Sequence, residues 1–98
     1  MTIEILPRAT DDLVAGFRFY EEQAKGLGTY FRLSLFEDVE APRVTAGAHA
    51  RALGYNRSIS KKFPFAIYYN VEGEIIRVHA ILDCRRNPRW IRRVLDRR

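Results

Sequence analysis

The sequence contains very little cysteine and no long apolar run. Cys84 stands alone among 98 residues, so no internal disulfide can form and a reducing cytoplasm is the expected compartment. No stretch of about 18 apolar residues occurs, which argues against a membrane-spanning helix. The opening MTIEILPRATDD also lacks the basic and apolar regions of a secretory signal. We therefore expect a cytoplasmic protein with no membrane partner.

Sequence motifs for metals and cofactors are missing as well. No zinc-ligand spacing, calcium-binding loop or glycine-rich phosphate loop occurs, so we expect no metal and no cofactor. A chain of 98 residues with 47% hydrophobic content suits a single domain, residues 1–98, built on one core.

Charge is distributed unevenly along the chain. Residues 1–40 hold eight acids and four bases, a net charge of −4, whereas residues 41–98 hold thirteen bases and four acids, a net charge of +9. This asymmetry indicates a face that attracts a polyanion or an acidic protein partner. A solvated basic tail is the plain alternative.

The first 40 residues predict a strand followed by a helical hairpin. Residues 2–6 are largely β-branched, and Pro7 ends that strand. Thr10 is the expected N-cap of the first helix, with Asp11 and Asp12 in its first turn. Its apolar stripe has helical spacing and consists of Leu13, Phe17, Tyr20, Ala24 and Leu27.

Glycines separate this helix from a second one. Gly26 and Gly28 let the chain reverse, and residues 29–40 form the second helix, which Pro42 ends. Its apolar seam is Phe31, Leu35 and Val39. Residues 43–54 are weakly patterned and read as a loop or a frayed helical turn.

The remaining residues predict three strands and a short basic helix. The strands cover residues 55–60, 63–71 and 74–83, with Glu72-Gly73 as the turn between the last two. Alternation along the last strand places Ile76, Val78, Ala80 and Leu82 on one face and Arg77, His79 and Ile81 on the other. The helix covers residues 89–97, with Trp90, Ile91 and Val94 facing inward. The order β-α-α-β-β-β places the chain in the α+β class, with the helical hairpin packed on a small antiparallel-rich sheet.

The tract from Lys61 to Pro88, KKFPFAIYYNVEGEIIRVHAILDCRRNP, resembles a signature of the RelE/ParE toxin superfamily. The shared features are a phenylalanine-proline-aromatic entry, an apolar-tyrosine-tyrosine strand, an acidic-glycine turn and an arginine pair before proline. The order of elements and the segment Phe19-Tyr20-Glu21 fit the same family, so the resemblance covers nearly the whole chain. It implies the toxin of a type II toxin–antitoxin module (a plasmid stabilisation system), held in a hetero-oligomeric complex with a cognate antitoxin.

Two branches of that family differ in their target. The RelE-like branch cleaves messenger RNA on the ribosome, using cations that stabilise the charge on phosphorus and a tyrosine near the C-terminus. By strand register, its three positions fall at Ala66, Arg85 and near Ile91. Because only Arg85 matches, the resemblance favours the ParE-like branch, which inhibits DNA gyrase by protein contact without catalysis.

The alternatives to gyrase inhibition are a ribosome-dependent mRNA endonuclease, for which Arg85 is the candidate catalytic residue, and a non-toxic binding module. Candidate residues for binding the target or the antitoxin are Arg77, His79, Arg85, Arg86, Arg89, Trp90, Arg92 and Arg93. Each has a structural alternative: a solvated face for the arginines, and a place in the core for His79 and Trp90.

Overall fold

A mixed five-stranded sheet is the centre of the fold. The computed structural model describes residues 2–41 and 50–98. Along the chain the elements are β1 (Thr2–Ile5), α1 (Pro7–Gln23), α2 (Leu27–Glu40), β2 (Arg51–Ala52), β3 (Tyr55–Ile59), β4 (Phe65–Glu72), β5 (Ile75–Asp83) and α3 (Pro88–Asp96). The strands lie in the order β1-β5-β4-β3-β2, with β1 parallel to β5 and all other neighbours antiparallel. The α+β class, the helical hairpin and the C-terminal helix are confirmed.

The end of the predicted 43–54 loop is a strand, which the sequence pattern missed. Strand β2 pairs with the start of β3 through a two-residue turn, Leu53 and Gly54, whose φ angles are 54° and 87°. Two positive φ angles match the twist of a tight antiparallel hairpin. The rest of that segment, and the prediction that Pro42 ends the second helix, lie outside the described residues.

Helix α1 begins earlier than predicted. Leu6 holds the N-cap position with an extended backbone, and Pro7 occupies the first helical position, where no N–H partner is needed. The prediction of Thr10 as the N-cap is therefore wrong, and its backbone N–H donates to the Leu6 carbonyl at 3.0 Å within the helix. Asp11 and Asp12 consequently lie in the second turn, away from the N-terminal end of the helix dipole.

The turn between α1 and α2 brings the two helices into close contact. Gly26 caps α2 with a φ of 89°, and Gly28 lies inside α2 rather than before it. A Cβ at Gly28 would lie 2.7 Å from the Phe17 carbonyl oxygen, so only glycine lets the helices approach this closely. The Glu21 carboxylate accepts the backbone N–H groups of Gly26 and Gly28 at 2.9–3.1 Å. It thereby satisfies donors at the start of α2.

The helical hairpin buries one face against the sheet. The predicted stripe and seam residues that are buried there are Leu13, Tyr20, Phe31, Leu35 and Val39. Phe17 and Leu27 are half-buried, whereas Ala24 is exposed because α1 ends before it. The hairpin seam is thus confirmed apart from its position at Ala24.

Strand β5 contains a β-bulge at His79. Tyr69 of β4 pairs with Val78, but the preceding residue Tyr68 pairs with Ala80, so His79 has no partner of its own in β4. An extra residue in one strand shifts the alternation of side chains by one position. Residues with even numbers therefore face the helical hairpin before the bulge, and residues with odd numbers face it after the bulge.

The prediction that four alternating residues of β5 share one face is wrong for this reason. Ile76 and Val78 pack with the helical hairpin, and after the bulge Ile81 joins them. Ala80 and Leu82 pack on the other face, in a second cluster beneath α3.

Helix α3 covers this second face of the sheet. The Asn87 side chain accepts a backbone N–H of its first turn at 2.8 Å, which caps the helix. Ile91 and Leu95 are buried against the sheet, while Trp90 and Val94 are half-buried at the margin.

A clamp formed by Asp12 and Arg98 closes the part of β5 that β1 does not reach. Strand β1 pairs with β5 only as far as Val78. Beyond it, the Asp12 carboxylate accepts the Ile81 N–H at 3.0 Å and the Arg98 guanidinium donates to the His79 carbonyl at 2.9 Å. Two further bonds, of 2.8 and 2.9 Å, join Arg98 to Asp12. The Asp12–Arg98 clamp thus ties α1, β5 and the C-terminal residue together.

We predict that Asp12→Ala destabilises the chain by about 2–4 kcal/mol, because it leaves Arg98 and the Ile81 N–H without their acceptor in a largely buried place. The two side chains are only 12% and 14% exposed. Urea unfolding followed by circular dichroism measures the change. Asp11→Ala, which removes the neighbouring exposed carboxylate, is the matched control with little expected effect. Equal stability of the two variants would contradict the structural role of the clamp.

Candidate functional site

The end of β5 holds the first arginine of the tract close to its own strand. Arg85 donates to the Asp83 carboxylate through its backbone N–H at 2.8 Å and its guanidinium at 3.1 and 2.8 Å. This hydrogen bonding lowers the pKa of Asp83. Burial raises the pKa of the nearby Tyr20 hydroxyl, on which Arg85 and Asp83 act in opposite directions. Arg85 is therefore an ion-paired side chain, although its guanidinium remains accessible.

An apolar groove separates α1 from α3. This α1–α3 groove has a volume of about 410 Å³, and its lining includes Gly16, Phe19, Phe65, Leu82, Arg86 and Trp90. Phe19 is 52% exposed, which is high for a large apolar side chain. The Arg86 guanidinium lies over the Trp90 ring, 3.9 Å from its centre. An aromatic, concave surface with a cation at its rim suits a protein segment.

A second cavity shares Arg86 with the α1–α3 groove. This arginine pocket, of about 370 Å³, is lined by Arg57, Arg86, Arg89 and Arg92, together with Cys84 and Ile91. Arg57 comes from β3, and its Nε donates to the Tyr68 hydroxyl at 3.3 Å. The structure thus gathers three of the predicted arginines with one that the sequence reasoning did not select.

The signal for Arg57 was present in the sequence but depended on a strand assignment. In β3, Asn56 and Ser58 pair with the residues Tyr69 and Ile67 of β4, which face the helical hairpin. Arg57 therefore faces α3. Arg57 reaches the pocket because β3 and α3 lie close together in the folded chain, and no local sequence pattern encodes that placement.

The other predicted site residues lie elsewhere. Arg77 forms ion pairs with Glu72 and Glu4 between neighbouring strands. Arg93 lines a separate cavity, together with Arg97. The eight predicted residues thus do not form one site.

His79 is enclosed at the bulge. Its ring lies 5.1 Å from that of Tyr55, and neither of its nitrogens has a hydrogen-bond partner among the described residues. Burial lowers the pKa of His79, with smaller opposing effects of Glu72, which raises it, and Arg77, which lowers it. A neutral imidazole held this way fits a structural residue better than a proton-transfer group.

Acidification should destabilise the fold through His79. Its ordinary pKa is 6.5 and its folded value is lower, so the unfolded chain takes up the proton first. The contribution of His79 to stability is complete above about pH 6.5 and is lost as pH falls through the folded pKa. Urea unfolding at pH 7.5 and at pH 5.5 should show a lower free energy of unfolding at the acidic value. His79→Gln should reduce this difference; an undiminished difference in this variant would refute the assignment.

The described residues include neither a metal-ligand cluster nor a membrane-spanning helix. Within residues 2–41 and 50–98, no three His, Cys, Asp or Glu side chains gather where they could hold a metal ion. None of the helices in those ranges is long and apolar enough to cross a membrane.

Comparison with known proteins identifies a shared fold. No family model matches the chain, and no curated protein matches it. Among solved structures, the chain is similar to one in a structure described as "Chromosomal ParDE TA system from P. aeruginosa". The TM-score is 0.60 at 21% sequence identity, and the match covers 83% of this chain and 92% of that chain. At this identity the likeness shows that the two chains have the same fold.

Proposed function

We propose that this chain is the toxin of a type II toxin–antitoxin module, a ParE-like protein that acts in the cytoplasm by binding and inhibiting DNA gyrase. The observation that carries the proposal is the fold shared with a chain of a ParDE toxin–antitoxin system. The tract from Lys61 to Pro88, which builds β4, β5 and the start of α3, supports the same assignment.

The α1–α3 groove supports action by protein contact. Phe19 is half-exposed on one wall, and Trp90 carries the Arg86 guanidinium on the other. Aromatic side chains and arginine are the residue types that most often dominate the binding energy of protein interfaces. A partner side chain in this groove would be desolvated against Phe19 and Trp90 together.

The three positions that correspond to the catalytic residues of the RelE-like branch also favour action by protein contact. Ala66 is fully buried beneath α3, and Ile91 is 8% exposed in the same cluster, so both belong to the core. The remaining match, Arg85, is bound by Asp83. RNA cleavage needs cations aimed at the charge that develops on the phosphate. A core alanine, a core isoleucine and an ion-paired arginine do not supply them.

The antitoxin is expected to carry an acidic segment. Residues 41–98 have a net charge of +9, and complementary charge speeds association with such a segment. An extended or helical tail that lays apolar side chains into the α1–α3 groove would cover Phe19. Toxin and antitoxin would then form a hetero-oligomeric complex in which the target-binding groove is occupied.

We expect the purified chain to inhibit supercoiling by purified DNA gyrase at micromolar concentration. Phe19→Ser should raise the concentration for half-inhibition by about tenfold or more, because it removes an apolar anchor from the groove. Phe36→Ser is the matched control, since Phe36 is 41% exposed on α2 and does not line the groove. Undiminished supercoiling in the presence of the folded chain would exclude gyrase as the target.

Induction of the chain in cells separates the proposal from its alternatives. Gyrase inhibition should arrest growth with a DNA-damage response and intact transcripts, and co-expression of the protein encoded beside it should restore growth. Cleavage of ribosome-bound transcripts that Arg85→Ala abolishes would establish the endonuclease instead. Harmless accumulation of the folded chain would identify a binding module without toxicity.

A further inference from the structure

Several arginines of the sheet and of the C-terminal segment differ in whether they pair with a carboxylate. Arg77, Arg85 and Arg98 each form an ion pair with a carboxylate. Arg89 and Arg92 have no carboxylate partner among the described residues, and the guanidinium of Arg86 lies on a ring instead. Cations held near one another without ion pairs repel, so the gathering of four arginines in the arginine pocket suits an anionic ligand.

Two of the pocket's guanidinium groups are held in place before any ligand arrives. Arg86 is stacked on Trp90 at 3.9 Å, and Arg57 is anchored by the Tyr68 hydroxyl at 3.3 Å. Arg89 and Arg92 are three residues apart on α3, so they project from the same side of the helix. Cys84 and Ile91 line the same pocket and make part of its wall apolar.

We propose that the arginine pocket binds a small polyphosphate, such as a nucleoside triphosphate or inorganic tripolyphosphate. Four guanidinium groups match the roughly fourfold negative charge of a triphosphate, and each offers paired N–H donors that fit two phosphate oxygens. The cavity of about 370 Å³ falls in the size range of small-molecule sites. The first turn of α3, which begins at Pro88 beside the pocket, adds the positive end of its dipole.

The lining favours a free polyphosphate over a nucleic-acid strand. Sites for single strands combine a basic groove with aromatic rings on which bases stack. No aromatic side chain of the described residues lines the arginine pocket, whereas Trp90 lines the α1–α3 groove and the cavity of Arg93 and Arg97. The pocket therefore offers contacts to phosphates and none to successive bases.

Trp90 provides a direct readout of binding. It is the only tryptophan of the chain, and its ring contacts Arg86 at the edge of the pocket. Titration of the full chain with tripolyphosphate at about 150 mM salt should change its fluorescence saturably, with a dissociation constant below about 100 µM. Calorimetry with ATP should give a similar constant, whereas adenosine, which has no phosphate, should not bind. Absence of tripolyphosphate binding at millimolar concentration would overturn the proposal.

A pair of double variants tests the location. Arg89→Gln with Arg92→Gln removes two cations from the pocket and should weaken tripolyphosphate binding at least tenfold. Arg93→Gln with Arg97→Gln removes the same charge from residues that line a different cavity along α3, and should change binding less than threefold. Circular dichroism confirms that both variants fold. Equal losses in the two variants would show binding to the general basic surface and refute the pocket.

A single-stranded DNA oligonucleotide separates the two sources of phosphate. We expect it to bind at least tenfold more weakly than tripolyphosphate and not to compete with it at equal phosphate concentration. An oligonucleotide that binds more tightly, and that loses affinity in Arg89→Gln with Arg92→Gln, would replace the free polyphosphate by a nucleic-acid strand. Neither result depends on gyrase, so the supercoiling assay and this titration can fail independently.

Discussion

The Asp12–Arg98 clamp is the interaction on which the arrangement of the sheet edge depends. Strand β1 is too short to cover β5, and the bulge at His79 begins where β1 stops. Without the clamp, the Ile81 N–H and the His79 carbonyl would lose these hydrogen-bond partners, which is costly. One carboxylate from α1 and one guanidinium from the C-terminal residue satisfy them both. Asp12 also lines the α1–α3 groove, so the clamp lies next to that surface.

Ion pairs within the fold decide which arginines remain available for ligands. Arg98 pairs with a carboxylate of α1, Arg85 pairs with one of β5, and Arg77 pairs with acids of the neighbouring strands. Arg57, Arg86, Arg89 and Arg92 form no ion pair among the described residues and line the arginine pocket, which shares Arg86 with the α1–α3 groove. One short loop after β5 therefore separates a surface suited to protein from a cavity suited to phosphate. The two can be altered separately, because they share only Arg86.

Sequence patterns predicted the elements of this fold better than their ends and faces. The hairpin seam at Phe31, Leu35 and Val39 follows from helical spacing, and β4 and β5 follow from their apolar content and the turn between them. The bulge was invisible, because residues 76, 78, 80 and 82 alternate without interruption and the extra residue is defined only by pairing with β4. Arg57 was missed for a related reason, since its contact with α3 depends on contacts distant in sequence. Thr10 has the chemistry of a cap, but the proline before it begins the helix first.

The bulge at His79 also affects how this chain is aligned with other chains of the same fold. Because the bulge adds one residue to β5, an alignment that counts forward from β1 and one that counts back from α3 differ by one position across the strand. A chain without the bulge would need a one-residue gap there for its buried positions to correspond. Residue equivalences at the end of β5, including that of Arg85, are therefore best assigned from the α3 side.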